Sequence, residues 1–295
     1  MRRDRVLYPV CKVLARALST LQAWRLGVRS ALSRMTNGVM AALTRRPGLR
    51  PAWIAGRFLT RYPFPDPGPC TARELGLAVP WYPVVGLLLG LVLAATALLL
   101  GPGVLARPAG VAAALVLGLW VWSTGGLHLD GLADTADAWV GGQGSRERTL
   151  AIMKDPASGP AGVAALVLVL IAKFAALEVL FGSGDAWVLL WVPLLARAQL
   201  PLLLLTTPYA RPQGMAAAPT QHAPRWPGGL VVALVGGAAV LALGWVGLLL
   251  AGAAALLYLL VRHALLRRLG GFTGDTAGAL VELTEALLIL LLALL

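Results

Sequence analysis

The sequence predicts an all-α integral membrane protein, a polytopic helical bundle of about seven transmembrane helices. Three observations predict it. Of 295 residues, 58% are hydrophobic and only 13% are charged, and the mean hydropathy is +0.78, outside the range of a soluble globular domain. Apolar runs long enough to cross a bilayer recur along the chain. The Lys and Arg residues between those runs fall almost entirely on one side.

The first crossing is expected at Tyr82–Leu100, an unbroken apolar run of one helix's length. Leu105–Ser123 follows a short connection built of Gly and Pro. Gly162–Phe181 and Ala186–Leu205 make the next pair, parted by the small polar turn 182–185. Leu230–Leu250 and Ala251–Val261, the second extended by its neighbours, share one long apolar stretch. There Gly236, Gly237, Gly244, Gly247 and Gly252 offer several breaks. Ala279–Leu295 is the last.

With the N-terminus in the cytosol, Arg57, Arg61, Arg73, Arg146, Arg148, Lys154, Arg211, Arg225, Arg262, Arg267 and Arg268 all face the cytosol. Only Arg107 lies on the other side. The polar motifs and functional loops then share the cytosolic face.

Residues 1–52 read as a basic extension and residues 53–295 as the membrane-embedded domain. Residues 1–50 hold 11 Arg/Lys against one Asp, while residues 51–295 hold 14 against 12, so nearly all of the +12 net charge sits in the extension. Val10, Leu14, Leu18, Leu21, Val28 and Leu32 recur there near helical spacing, with Lys12, Arg16 and Arg34 on another face. This predicts a basic amphipathic helix on an anionic membrane surface; the alternatives are a disordered leader or a later start at Met35 or Met40. A secretory signal is excluded for want of a compact apolar stretch and a cleavage pattern. No basic-aromatic stripe suggests a nucleic-acid partner. Cys11 and Cys70 have neither disulfide-framework nor zinc-site spacing.

The chemistry is concentrated in GGLHLDGLADTADAW, 125–139, just after an apolar run. Asp130, Asp134 and Asp137 fall at i, i+4 and i+7, within roughly a 60° sector of one helix face. Carboxylates so placed repel one another unless a cation sits among them. In a chain with only 13 acidic residues, this reads as a site for a hard divalent cation such as Mg²⁺, shared with substrate phosphates. The alternative is a solvated helix end with acids favoured by the helix dipole. His128 is a base, a ligand, or a hydrogen-bonded interfacial residue.

A second acidic face lies in GGFTGDTAGALVELTE, 270–285, where Asp275, Glu282 and Glu285 fall at i, i+7 and i+10. Both segments begin Gly-Gly-x-x-x-Asp, which makes Asp130 and Asp275 equivalent. Two acidic helices converging on one metal-diphosphate site account for both; a plain helix cap at Asp275 is the alternative. In IMKDPASGPAG, 152–162, Lys154 can counter a phosphate before a stiff Pro/Gly turn. Lys173, Glu178 and Arg197 lie inside expected crossings, where an ionisable group faces a cavity or a partner. Either Glu178 pairs with Lys173 or Arg197, or the two cations reach an anionic substrate from the bundle interior. Arg61 in RFLTRYPFP and the cluster Tyr209, Arg211 and Gly214 are further phosphate-binding candidates. His222 and His263 read as surface or snorkelling residues.

Together FLTRYPFP (58–65), YPVVGLLLG (82–90), the aspartate motif, the Met-Lys-Asp loop (153–162), Tyr209-Ala210-Arg211 with Gly214, and the second acidic segment resemble the cobalamin synthase family. That family is also called adenosylcobinamide-GDP ribazoletransferase or cobalamin-5′-phosphate synthase. The resemblance runs from about Phe58 to the C-terminus in the family's order and spacing. It implies the last assembly step of the corrinoid nucleotide loop. A ribose hydroxyl of α-ribazole, or of its 5′-phosphate, attacks the cobinamide-side phosphorus of adenosylcobinamide-GDP, and GMP departs. It implies dependence on Mg²⁺ and residence in the bacterial cytoplasmic (inner) membrane, with the lipid bilayer as partner and oligomerisation compatible. Family members place an Arg shortly after the Met-Lys/Arg-Asp, where this chain has Ala157.

On this reading Asp130, Asp134, Asp137 and Asp275 hold one or two Mg²⁺ ions across the diphosphate; Glu282 is either a further ligand or the base that takes the hydroxyl proton, a role for which His128 competes. Arg61, Lys154, Asp155, Lys173, Arg197 and Arg211 bind substrate. Two rival classes share features. CDP-alcohol phosphotransferases and isoprenyl transferases also set aspartates around Mg²⁺-diphosphate, but Asp134 stands where the former have Arg. A secondary transporter would place its ionisable groups near the membrane midplane, not at a cytosolic edge.

Overall fold

Lipid offers a backbone no hydrogen-bond partner, so each apolar run closes its own hydrogen bonds as a helix. The computed structural model describes residues 47–101, 104–183, 185–211 and 214–295. The amphipathic helix expected in the N-terminal extension lies outside them. Residues 50–295 make up one unit.

α1 (Arg50–Leu59) and α2 (Ala72–Ala78) come first. Thr71 and Glu74 form a reciprocal capping box at the start of α2, and Arg50 Nε meets Glu74 at 2.6 Å, tying the two helices together. A 3₁₀ turn, Val79–Trp81, leads without a break into α3 (Tyr82–Leu100), the first expected crossing. α4 (Ala109–Thr124) ends at Gly125 and Gly126, with φ of 64° and 75°. Two successive left-handed residues are strained for anything but glycine. They turn the chain by 85° into α5 (Leu127–Gly141), which carries the aspartates across the end of the bundle.

α6 (Arg146–Ile152), α7 (Pro160–Ser183), α8 (Trp191–Thr206) and the short α9 (Ala217–His222) follow. Next come α10 (Arg225–Leu243), α11 (Trp245–Leu269) and α12 (Gly274–Leu294). The break between the fifth and sixth expected crossings belongs at Gly244, not after Leu250. Of the five glycines there, only Gly244 has positive φ, and Gly247 lets α11 lie directly on the Ala239 carbonyl of α10.

Among the described residues, Ala72–Leu100, α7, Trp187–Thr206 (α8 with the 3₁₀ turn before it), α10, α11 and α12 are each long and apolar enough to cross a membrane, and the bent pair α4–α5 makes a seventh when taken as one span. The chain is an all-helical polytopic membrane bundle. α8 and α12 are central, with 83% and 67% of their apolar windows buried, against 11% for α10 and 22% for α11. Leu168, Leu234 and Leu241, exposed by 68, 59 and 90%, point outward, as lipid-facing side chains must. Leu89, Trp120, Leu177, Leu195 and Leu288 belong to one core; Leu59, Tyr82, Leu203, Phe272 and Leu280 belong to another, next to the polar end.

Candidate active site

The aspartate helix α5 packs most extensively on α12 and also on α7 and α6. Gly131, one residue after Asp130, allows the closest approach: a Cβ there would stand 2.6 Å from the Asp275 carbonyl. α12 begins with its own capping box, Thr273 with Thr276, which places Asp275 in the first turn. The two acidic segments, far apart in sequence, therefore meet. The charges of Asp130, Asp137 and Asp275 all act on the Asp134 carboxyl, and Arg211 opposes them.

Each aspartate has its own surroundings. Asp137 accepts from the backbone amides of Gly159 (2.6 Å) and Gly162 (2.8 Å), so it fastens the start of α7. Asp275 Oδ2 receives Arg211 Nη1 at 2.9 Å. Asp130 and Asp134 have no hydrogen-bond or ion-pair partner among the described residues. Arg211 is held because residues 208–210 pair with Phe272: Phe272 N donates to Pro208 O (2.9 Å) and Ala210 N to Phe272 O (2.8 Å). The Nε and Nη2 of Arg211 are buried with no partner among the described residues. Beside them the Tyr209 ring packs edge-on to Phe272 at 5.2 Å, and burial pushes its phenol up, so it stays protonated.

A second polar group lies inside the bundle. Lys173 Nζ donates to Glu282 (2.6 Å) and Glu285 (2.5 Å) and sits 4.6 Å from the centre of the Trp120 ring. Arg197 pairs with Glu285, and its Nη2 is 3.4 Å from His128 Nδ1. Trp120 Nε1 completes the Glu285 shell at 3.2 Å. Two cations face two anions, all four nearly sealed from solvent, so the charges cancel within the cluster. The expected Glu178 pairings do not form. Glu178 lies five residues after Lys173, about 140° around α7, and is exposed.

Lys173, Arg197 and Glu282, expected at substrate or at the reacting proton, are thus paired with acids or bases of their own. Because Arg197 has only donors, His128 Nδ1 is the acceptor and its Nε2 carries the proton, which leaves no free lone pair for a base or a ligand. Arg61 stands at the α4–α5 elbow, its amide bonded to Ser123 O (2.7 Å) and its side chain beside Gly125. Lys154 is exposed in the α6–α7 connection, where Asp155 accepts from Ala157 N at 3.0 Å and so shapes its own turn. Among the described residues no three His, Cys, Asp or Glu groups converge into a ready-made metal cage.

Periodicity along the sequence does not disclose an apolar cleft beside Asp130 and Asp275, walled by Phe58, Tyr82, Leu200, Leu204, Met215 and Phe272. Its walls come from six separate elements and carry no unusual residue type, so no local signal marks it.

The family model described as cobalamin-5-phosphate synthase matches residues 51–293. The adenosylcobinamide-GDP ribazoletransferase of Ectopseudomonas mendocina is 52% identical over 247 residues, covering 82% of this chain and 97% of the relative. That of Pseudomonas aeruginosa is also 52% identical, covering 84% of this chain and all of the relative. That of Pseudomonas syringae is 49% identical, covering 83% and 99%. No solved structure matches. With its acidic helices and membrane bundle inside the matched span, the chain belongs to the cobalamin-5-phosphate synthase family.

Proposed function

We propose that this protein transfers the cobinamide phosphate of adenosylcobinamide-GDP to a ribose hydroxyl of α-ribazole, or of its 5′-phosphate, and releases GMP. The reaction runs at the cytosolic face of a bacterial cytoplasmic membrane, with the N-terminus in the cytosol; the one-sided distribution of Lys and Arg supports that orientation. The observation that carries the reading is the meeting of Asp130 and Asp134, unpaired among the described residues, with Arg211, whose buried Nε and Nη2 have no partner among them either. Acids and an unsatisfied guanidinium side by side suit a cation and a phosphate together.

The donor set fits Mg²⁺, which takes one or two carboxylates and completes its shell with phosphate and water. Asp130 and Asp134 would hold it, while Asp137 and Asp275 keep α7 and Arg211 in register with them. When bound, Mg²⁺ supplies charge neutralisation on the diphosphate and acidifies a bound hydroxyl.

The protein's own part is positioning. Arg211 offers Nε and Nη2 to a phosphate oxygen, and Lys154 meets a phosphate from the solvent side. The acceptor hydroxyl oxygen forms a bond to the cobinamide-side phosphorus as the bond from that phosphorus to the bridging oxygen breaks, and GMP leaves with that oxygen. The hydroxyl proton leaves to water through the open side of the cleft, since Glu282 and His128 are engaged by Lys173 and Arg197. The test is GMP release by purified protein from adenosylcobinamide-GDP and α-ribazole, with and without Mg²⁺. Turnover of CDP-lipid or prenyl diphosphate in place of the GDP donor, or substrate flux in proteoliposomes without conversion, overturns it.

A further inference from the structure

We infer that the apolar cleft beside Asp130 and Asp275 is the seat of the acceptor's base, a flat, uncharged, bicyclic aromatic with one acceptor nitrogen. The inference rests on the transferase reading and deepens it. The cleft encloses about 110 Å³ and is partly open, which excludes a corrin macrocycle from its interior. Apart from its polar rim its walls are apolar, and three of them are aromatic: Phe58, Tyr82 and Phe272, the first two with ring centres 6.1 Å apart and inclined by 31°. Such walls suit the faces of a planar ring.

Guanine carries hydrogen-bonding atoms on several edges, and apolar walls would leave most of them without partners. The benzimidazole of α-ribazole has a single acceptor nitrogen and no donor. One residue lining the cleft answers that pattern. His128, 3% exposed, has a protonated Nε2 that is buried with no partner among the described residues. A base seated here would leave its ribose directed at Asp130, on the polar rim where the phosphate chemistry is placed.

The experiment measures KM for α-ribazole and for the GDP donor in wild type, Ala277→Leu and Met215→Trp. Ala277 lines the interior, whereas Met215, 74% exposed at the mouth, can be enlarged without disturbing the core. Both variants should raise the α-ribazole KM at least tenfold and leave the donor KM within twofold. A parallel series compares α-ribazole with its indole analogue, in which C–H replaces the acceptor nitrogen. Wild type should prefer α-ribazole at least tenfold, and His128→Phe should erase the preference. Transfer with unchanged α-ribazole KM in both cleft variants, or an equal rise in donor KM, overturns the base assignment and spares the transferase. Calorimetric binding of α-ribazole that both variants weaken, with no GMP release from wild type, overturns the transferase reading and spares the cleft.

Discussion

Arg211 Nη1 lies 2.9 Å from Asp275 Oδ2, while the Nε and Nη2 of the same guanidinium are buried without partners among the described residues. A buried donor left unmade costs about 1–3 kcal/mol, more for a charged group, so this is the side chain with most to gain from an anionic substrate. Arg211→Met should raise the donor KM roughly tenfold to a hundredfold. Arg211→Lys should recover only part of it, because a point charge cannot replace the two-pronged fork. Initial rates of GMP release check this; a wild-type donor KM in both variants refutes it.

Asp130→Asn and Asp134→Asn remove charge without changing shape, and neither carboxylate supports the fold through a described hydrogen bond. Each should lower turnover by at least about 100-fold, the scale of losing one electrostatic element of a transition state. Yield in membranes and helical circular dichroism should stay at wild-type levels. Full turnover in either variant removes the cation site from α5.

Mg²⁺ should raise the melting temperature of the chelator-treated protein, since the crowded carboxylates favour a bound cation in the folded state alone. At a hundred times its Kd, a ligand of this kind stabilises by about 2.7 kcal/mol. The shift should vanish in the Asp130→Asn, Asp134→Asn double variant and persist in Lys173→Met, whose site is the interior ion cluster. A shift of equal size in both variants would place the cation elsewhere.

Lys173, Arg197, Glu282 and Glu285 form a neutral set, so removing one member strands a buried charge. Lys173→Met alone should cost about 3–5 kcal/mol in detergent unfolding. Replacing Lys173 and Glu282 together by Met and Leu should recover much of that, because the remaining Arg197–Glu285 pair is still balanced. Equal losses in the single and double variants would show that the charges do not act as a set.

Gly126→Ala and Gly131→Ala separate two roles of glycine. The first forces a left-handed alanine at the elbow, costing about 1–2 kcal/mol and leaving the site intact. The second drives a methyl against the Asp275 carbonyl, pushes α5 off α12, and should abolish activity beyond what its melting temperature explains. Activity and melting temperature falling in proportion for both would end the distinction.

Much of this protein is legible from local pattern. The apolar run at Tyr82–Leu100 is a helix over those same residues, because a backbone in lipid has no other way to satisfy itself. The spacing of Asp130, Asp134 and Asp137 places them on one face of α5 because helical periodicity is a property of consecutive residues. The hairpin at Gly244 is less legible, since the five glycines look alike in sequence and only the folded backbone, with positive φ at Gly244 and Gly247 packed on Ala239, distinguishes the turn.

Run length, periodicity and the one-sided basic loops are properties of neighbouring residues, so the amino-acid order alone yields a membrane bundle carrying acids at one edge. Which helices touch is a different matter, decided by side chains far apart in the chain fitting together. Packing made Glu282 and Glu285, not Glu178, the partners of Lys173; it set Arg211 against Asp275, gave Asp137 to the start of α7, and raised an aromatic cleft beside Asp130. No local rule contains those choices, because a buried charge takes whichever partner the fold delivers to it.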